Sequence, residues 1–299
     1  MSLRLAVLNV GCRLVGKTRL RYVQKPGSQR KDFDYLGRVL SGRKKDLSER
    51  VEAGEPSVTV TEPADGPSGT ILYFHGGGYI AGSPLSHRAL IRSLVRRSGA
   101  RVVAPDYRLG PEHRLPAAQE DARAAWDALV AKGTRAEEIV LAGDSAGGGM
   151  ALSLMAELGA EGVRPAACVA FCPWTDLTGS GASMVENAKR DPLLPVERLP
   201  DLIGFAVAEG ADLADPRLSP LFAKFSAPAP TLIQHSQTEI VRDDALRMAD
   251  VLRGAGGEVV VQDWPNPPHT WHIFGDALPE ARDALEKAAQ FIKAQLRLA

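Results

Sequence analysis

Residues Glu137 to Gly149 read EEIVLAGDSAGGG, and the fold is decided there. An apolar run, Ile139-Val140-Leu141-Ala142, meets Gly143-Asp144-Ser145-Ala146-Gly147, and a helix-like stretch continues to about Leu158. Strand, sharp turn and helix in that order is the setting of a nucleophile elbow, which raises a serine to the carboxyl edge of a sheet. Glycines flanking Ser145 let strand and helix approach where a Cβ would clash. An oxyanion formed at Ser145 would face the unpaired N–H groups and the positive end of the helix that follows. The Gly-x-Ser-x-Gly pattern by itself is weak in a chain with 29 glycines. Its weight depends on the rest of the chain.

Outward from this stretch, strands and helices alternate. Val58 and Val60 alternate with Thr59 and Thr61, and Thr70 to Phe74 is a short buried strand running into His75-Gly76-Gly77-Gly78. A helix over His87 to Arg97, a strand at Arg101 to Pro105 and a helix from Pro116 to about Lys132 lead to the central stretch. Beyond it come a strand at Pro165 to Phe171, a strand at Thr231 to Gln234, a helix at Asp243 to Arg253, a strand at Glu258 to Gln262 and a helix at Pro279 to Leu298. Repeated strand–helix units predict an α/β protein whose mostly parallel sheet carries helices on both faces. Before Val51 the apolar spacing of Leu3, Val7, Val10 and Leu14 predicts amphipathic helices and no strand. Residues 175–226 hold Pro192, Pro195, Pro200, Pro216 and Pro220, and predict an insertion with short helical pieces such as Leu199 to Ala208.

With 299 residues a sizeable core is possible, since a single unit of this size buries about 75% of its unfolded surface. Basic and acidic side chains both number 36, so no global field attracts nucleic acid or an anionic membrane. The clusters Arg43-Lys44-Lys45 and Arg96-Arg97 read as solvated faces. Cys12, Cys168 and Cys172 make an odd set without disulfide spacing, which fits a reducing, cytoplasmic setting. Cys168 and Cys172 are expected as buried small hydrophobes on one strand face. Leu3 to Val10 is too short to span a bilayer and too polar for a good signal peptide, and Cys12 lacks convincing lipid-attachment flanks.

A serine on such an elbow finds its partners later in the chain, in the order Ser, Asp/Glu, His. His269, in Pro267-Pro268-His269-Thr270-Trp271 after the strand ending at Gln262, stands where the base belongs, with His272 as its competitor. Glu239 occupies the turn after the strand Thr231 to Gln234 and is the expected acid. Asp243 and Asp244 are its alternatives, although at a helix start they read as caps. The acid would hold the histidine's tautomer and stabilise the imidazolium formed when Ser145 loses its proton. His75-Gly76-Gly77-Gly78 matches an oxyanion loop, with Gly77, Gly78 and Ala146 as N–H donors. Tyr79, Trp174, Phe205 and Trp271 are candidate pocket-lining aromatics, with a place in the core as the equal alternative for each. Asp106, Arg108 and Glu112 read as loop scaffolding, and no Cys/His cluster has metal-site spacing.

HGGGYIAGS, DYRLGPEHRLPAAQED, GDSAGG, PWTDLTGS and the Glu239/His269 region, over residues 50 to 299, resemble the hormone-sensitive-lipase branch of the α/β-hydrolases, the bacterial family IV esterases. The resemblance implies an eight-stranded α/β-hydrolase core over 51–174 and 227–299. It also implies a helical cap made from residues 1–50 and 175–226, with hydrolysis of short-acyl carboxylic esters, no metal or organic cofactor, and a possible homodimer. The family's usual aspartate in a D-P-L-type turn is Glu239 in Glu239-Ile240-Val241 here, and its R-L-A-P-E-H is Arg108-Leu109-Gly110-Pro111-Glu112-His113. The N-terminal helices together with these motifs also resemble monoterpene lactone hydrolases, which makes lactones an alternative substrate. The plant gibberellin receptors resemble the same branch but lack the base, whereas His269 is present here.

Overall fold

The computed structural model describes residues 2–22, 25–41 and 46–298, so the basic cluster Arg43-Lys44-Lys45 lies outside the described residues. Eight strands, β1 (Leu47–Glu52), β2 (Val58–Pro63), β3 (Thr70–Phe74), β4 (Arg101–Pro105), β5 (Ile139–Asp144), β6 (Ala167–Phe171), β7 (Thr231–Ser236) and β8 (Val259–Trp264), form one sheet in the order β1-β2-β4-β3-β5-β6-β7-β8. The first two pairings, β1 with β2 and β2 with β4, are antiparallel; from β4 to β8 all are parallel. β5 lies at the centre, its Leu141 opposite Leu72 of β3 and Cys168 of β6.

The apolar runs follow from burial on both faces. Along β5, Ile139 and Leu141 join one core with Ala122 and Trp126 of α5 (Ala117–Ala131), Met150 of α6 (Ala146–Ala160) and Met248 of α9 (Arg242–Gly254). Val140 and Ala142 join the opposite core with Leu90 and Leu94 of α4 (Arg88–Ser98) and Leu285 and Ile292 of α10 (Pro279–Leu298). Arg96 and Arg97 do not simply face water: both pair with Asp276, tying α4 to the segment before α10.

The N-terminal helices are α1 (Leu3–Gly11), a π-helical turn Cys12–Gly16, α2 (Lys17–Tyr22) and α3 (Pro26–Ser41). The expectation of helix without strand before Val51 fails at β1. Its residues Leu47-Ser48-Glu49-Arg50-Val51-Glu52 carry charges because it is an edge strand, whose exposed alternation is polar. Arg50 reaches Glu62 across the pair, and Glu49 holds Arg88 of α4. The insertion contains α7 (Ser183–Glu186) and α8 (Leu199–Ala206) between loops.

Two further expectations are corrected. Cys168 and Cys172 do not share a strand face: Cys168 lies in the core beneath α6. Cys172 follows the end of β6 with φ 47° and packs with Leu5, Trp264 and Trp271. Asp243 and Asp244 do not cap their own helix. Asp243 accepts the Ser183 N–H, and Asp244 Oδ2 accepts the N–H groups of Thr175 (2.8 Å) and Asp176 (2.9 Å), fastening the insertion to α9.

Burial, with the charge of Asp176 beside it, pushes the Asp244 carboxyl up to about 7. A carboxyl raised in the folded state adds stability below its unfolded value, and that stability is lost as pH rises through the folded value. Wild-type protein is therefore expected to lose stability between about pH 5 and about pH 9 relative to Asp244→Asn, whose amide oxygen still accepts both N–H groups. Urea unfolding at the two pH values measures this; parallel stability profiles would count against it.

Candidate active site

Every candidate reactive group sits beyond the carboxyl end of a parallel strand, the edge where sheets of this type place ligands. His75 follows β3, Ser145 follows β5, Glu239 follows β7 and His269 follows β8. Ser145 has φ 52° and ψ −121°, a conformation that costs about 1–3 kcal/mol for a residue with a side chain. Neighbouring backbone holds it: its N–H donates to Phe171 O (2.9 Å), and its carbonyl accepts from Trp174 N and Gly149 N (each 3.0 Å). The turn closes only because Gly147 has no side chain, since a Cβ there would lie 2.1 Å from Phe74 O.

Ser145 Oγ lies 2.8 Å from His269 Nε2, and His269 Nδ1 lies 2.7 Å from Glu239 Oε2. The other carboxylate oxygen, Oε1, accepts the Ser236 N–H at 2.9 Å. Asn187 of the insertion donates to the Glu239 carbonyl at 2.9 Å, and Asp191 accepts the adjacent Ile240 N–H at 2.9 Å. Burial opposes a proton on His269, but the Glu239 hydrogen bond and charge, helped by Asp191 and Asp144, outweigh it and raise its pKa above the ordinary imidazole value. A hydroxyl, an imidazole and a carboxylate in this chain can move a proton off oxygen and hold the resulting imidazolium. His272 is not in it: it bonds Gln234 at 3.0 Å, and burial lowers its pKa to about 3.

Gly77 has φ 122°, and a Cβ on it would lie 2.1 Å from Ala81 O. The N–H groups of Gly77, Gly78 and Ala146 donate to no acceptor among the described residues, and all three residues border the Ser145 turn or its cavity.

Beneath the loop lies a buried polar cluster that the sequence reading missed. Asp144 Oδ1 accepts from Gly76 N (2.9 Å) and the Tyr73 hydroxyl (2.5 Å), while Oδ2 faces His87 Nε2 at 3.2 Å. Although burial opposes both charges, the pair's mutual attraction lowers the Asp144 pKa and raises that of His87. His75 stacks on Tyr107 with centroids 4.1 Å apart, and burial, with His87 nearby, lowers its pKa to about 3. The available signal was Asp144 itself, a charge ending an otherwise apolar buried strand, which requires a partner.

A cavity of about 160 Å³ opens onto Ser145 and His269. Its walls come from Leu20 and Phe33 of the N-terminal helices, Leu194, Leu202 and Phe205 of the insertion, and Trp174. Of the four candidate aromatics, Trp174 and Phe205 border it, whereas Tyr79 and Trp271 take the core alternative. Tyr79 points into the core beside Trp174 (centroids 6.2 Å apart), turned there by a left-handed backbone with φ 62°. Trp271 is fully buried against Trp264 and His272, its indole N–H donating to Glu280 O.

The thiol of Cys172, the Glu239 carboxylate and the His269 imidazole offer ligand atoms within 4.8 Å of one another. The 2.7 Å bond between the last two is closer than the roughly 3.3 Å separating ligands on a tetrahedral zinc, so a proton and not a metal joins them.

A family model described as alpha/beta hydrolase fold matches residues 71–273. An acetyl-hydrolase of Streptomyces hygroscopicus is 38% identical over 244 residues, 81% of each chain. An ethyl acetate hydrolase of Pseudomonas putida is 30% identical over 95% of each chain. The crystal structure of an esterase from the bacterial hormone-sensitive lipase family matches with TM-score 0.91 and 29% identity over 99% of both chains. A mutant of the esterase E40 matches with TM-score 0.91 and 30% identity, again over 99% of both chains. The chain belongs to the α/β-hydrolase fold family and, within it, to the hormone-sensitive-lipase-like carboxylic-ester hydrolases.

Removing one member of a buried charge pair leaves the other uncompensated, at about 3–5 kcal/mol. Asp144→Ala is therefore expected to lose about that much stability, read by denaturant unfolding. A loss within experimental error would show that the His87–Asp144 pair is not what holds the loop.

Proposed function

We propose that this protein is a serine carboxylesterase for short-acyl esters, with Ser145 as nucleophile, His269 as base and Glu239 as acid. The observation that carries the proposal is the continuous Glu239–His269–Ser145 hydrogen-bond chain opening onto the cavity. His269 Nε2 takes the Ser145 proton as Oγ attacks the ester carbonyl, and Gly77, Gly78 and Ala146 N–H groups hold the oxyanion. The tetrahedral intermediate collapses, the alkoxide leaves with the proton from His269, and an acyl-Ser145 ester remains. Water, deprotonated by the same histidine, attacks that ester and releases the acid and free Ser145.

Cavity size supports the short acyl chain. About 160 Å³ is close to the roughly 150 Å³ of an engineered cavity that holds benzene, room for a few carbons between its walls. The acetyl-hydrolase and ethyl acetate hydrolase names of two relatives favour the same class. The N-terminal helices and the insertion act together as the cap, since both furnish cavity walls.

Ser145→Ala is expected to fold and to abolish p-nitrophenyl butyrate hydrolysis. Glu239→Gln should cut turnover by about 10³–10⁴. It should also move the acid limb of the pH–rate profile to lower pH, because the group raising His269 is gone while the burial lowering it remains. Asp243→Asn should leave both readouts near wild type. Full activity in Ser145→Ala, or an acid limb in Glu239→Gln unchanged from wild type, would refute the mechanism.

Across p-nitrophenyl esters of increasing acyl length, kcat/KM should peak at acetate to butyrate and fall steeply by octanoate. A flat profile would overturn the short-acyl reading and leave the triad standing.

A further inference from the structure

The whole chain is electrically balanced, but its charges are not evenly spread. Residues 1–31 contain eight basic side chains (Arg4, Arg13, Lys17, Arg19, Arg21, Lys25, Arg30 and Lys31) and no acidic one. The remaining residues hold 28 basic against 36 acidic groups. The zero net charge conceals a cationic end.

That end also exposes apolar surface. α1, the π-helical turn and α2 run without interruption from Leu3 to Tyr22. Leu5 faces inward and is buried against Trp264 and Trp271, with Leu8 partly buried beside it. On the opposite face Leu3 (80%), Val7 (66%), Val10 (56%) and Leu14 (69%) are exposed, at the i, i+4, i+7, i+11 spacing of a single stripe. Val15 and Tyr22 extend it. A soluble surface rarely exposes so many apolar side chains in one row without a partner.

The basic groups do not all spend their charge on carboxylates. Arg19 pairs with Asp32, Arg21 with Glu197 and Arg30 with Glu112. Arg4 donates to Ala277 O, and Arg13 to the carbonyls of Lys189 and Arg190, neutral acceptors that leave the positive charges in place. Arg13 thereby ties the helix to the backbone of Lys189 and Arg190, two further exposed basic residues.

We propose that the outward face of the N-terminal helix, Leu3, Val7, Val10 and Leu14 with its basic flanks, docks the protein in plane on an anionic phospholipid bilayer surface. A helix with an apolar stripe and Lys/Arg flanks inserts its side chains at the headgroup boundary and is drawn there by negative lipid charge. A second copy of the chain is the poorer occupant, since a two-fold pairing would set one basic flank against another. No helix among the described residues is long and apolar enough to cross a membrane, so the helix lies on the surface and does not span. Leu20, further along the same helical run, borders the cavity, so docking would bring the cavity's N-terminal wall to the bilayer.

Co-sedimentation with phosphatidylglycerol/phosphatidylcholine vesicles and with phosphatidylcholine vesicles, at low and high salt, tests this. Wild type should bind the anionic vesicles at least about tenfold more tightly than the neutral ones, with the difference collapsing in high salt. Val7→Asp/Val10→Asp should lose the binding while hydrolysing soluble p-nitrophenyl butyrate as wild type does, which shows that it is folded. Lys25→Glu/Lys31→Glu should weaken binding to anionic vesicles only. Equal binding by wild type and Val7→Asp/Val10→Asp, or no vesicle binding by wild type, overturns the proposal. So does a wild-type dimer in solution that becomes a monomer in Val7→Asp/Val10→Asp, since the stripe would then be a subunit contact.

Discussion

The contact on which the site depends is the one between Gly147 and the end of β3. Helix α6 leaves β5 so abruptly that the Gly147 Cα stands against the Phe74 carbonyl, and a methyl group there would overlap it. Two chain segments become one object at that point. Ser145 is carried on the turn and the glycine loop on the continuation of β3, so a shift in either would separate the hydroxyl from Gly77 and Gly78. The strained backbone at Ser145 persists because its hydrogen bond to the Phe171 carbonyl and those from the Trp174 and Gly149 N–H groups over-determine it.

Two buried acid–imidazole pairs flank that serine, and they do different work. Glu239 and His269 meet through a 2.7 Å bond whose imidazole also reaches Ser145, so its proton state is coupled to the hydroxyl. Asp144 and His87 meet at 3.2 Å, and the carboxylate spends its other oxygen on the Gly76 N–H and Tyr73, so the pair holds the backbone of the glycine loop. Both imidazoles are buried and both are raised by a carboxylate. The difference lies in what the second ring nitrogen touches: the Ser145 hydroxyl for His269, and the Ser86 hydroxyl, away from that turn, for His87.

Much of this was legible because the informative residues are scarce and ordered. With six histidines in the chain, a histidine after the last strand and a carboxylate after the strand before it leave few combinations. The parallel strands were legible from apolar runs that two covering layers require. β1 was not, because an edge strand with charged alternation has no apolar period to detect. For Tyr79 and Trp271 the choice between pocket and core was not legible for a related reason. Proximity in sequence to a motif fixes a residue's position along the chain, but the sense of the turn fixes which side its ring takes, and φ 62° at Tyr79 sends it into the core. The Asp144–His87 pair joins residues 57 apart in sequence, a separation that no local period encodes.

The insertion is fixed over the cavity by apolar packing, with Leu177, Met184, Leu218 and Leu221 in the same core as Met150 of α6, and by buried carboxylates as well. Asp191 accepts from Leu193 and Leu194, a cavity wall, through one oxygen, and from Ile240, next to Glu239, through the other. Its carbonyl takes a hydrogen bond from Lys17 of α2. The N-terminal helix, the insertion and the turn carrying the acid therefore meet at one residue. Asn187 and Asp244 add bonds of the same kind to the backbone of Glu239 and Thr175. Moving the insertion as a rigid lid would leave several buried main-chain groups without partners, each costing about 1–3 kcal/mol. Asp191 thus links Lys17 of α2 and the cavity wall at Leu193 and Leu194 to the turn that carries Glu239. Under the proposed mechanism a displacement of α2 would therefore reach the carboxylate bonded to His269.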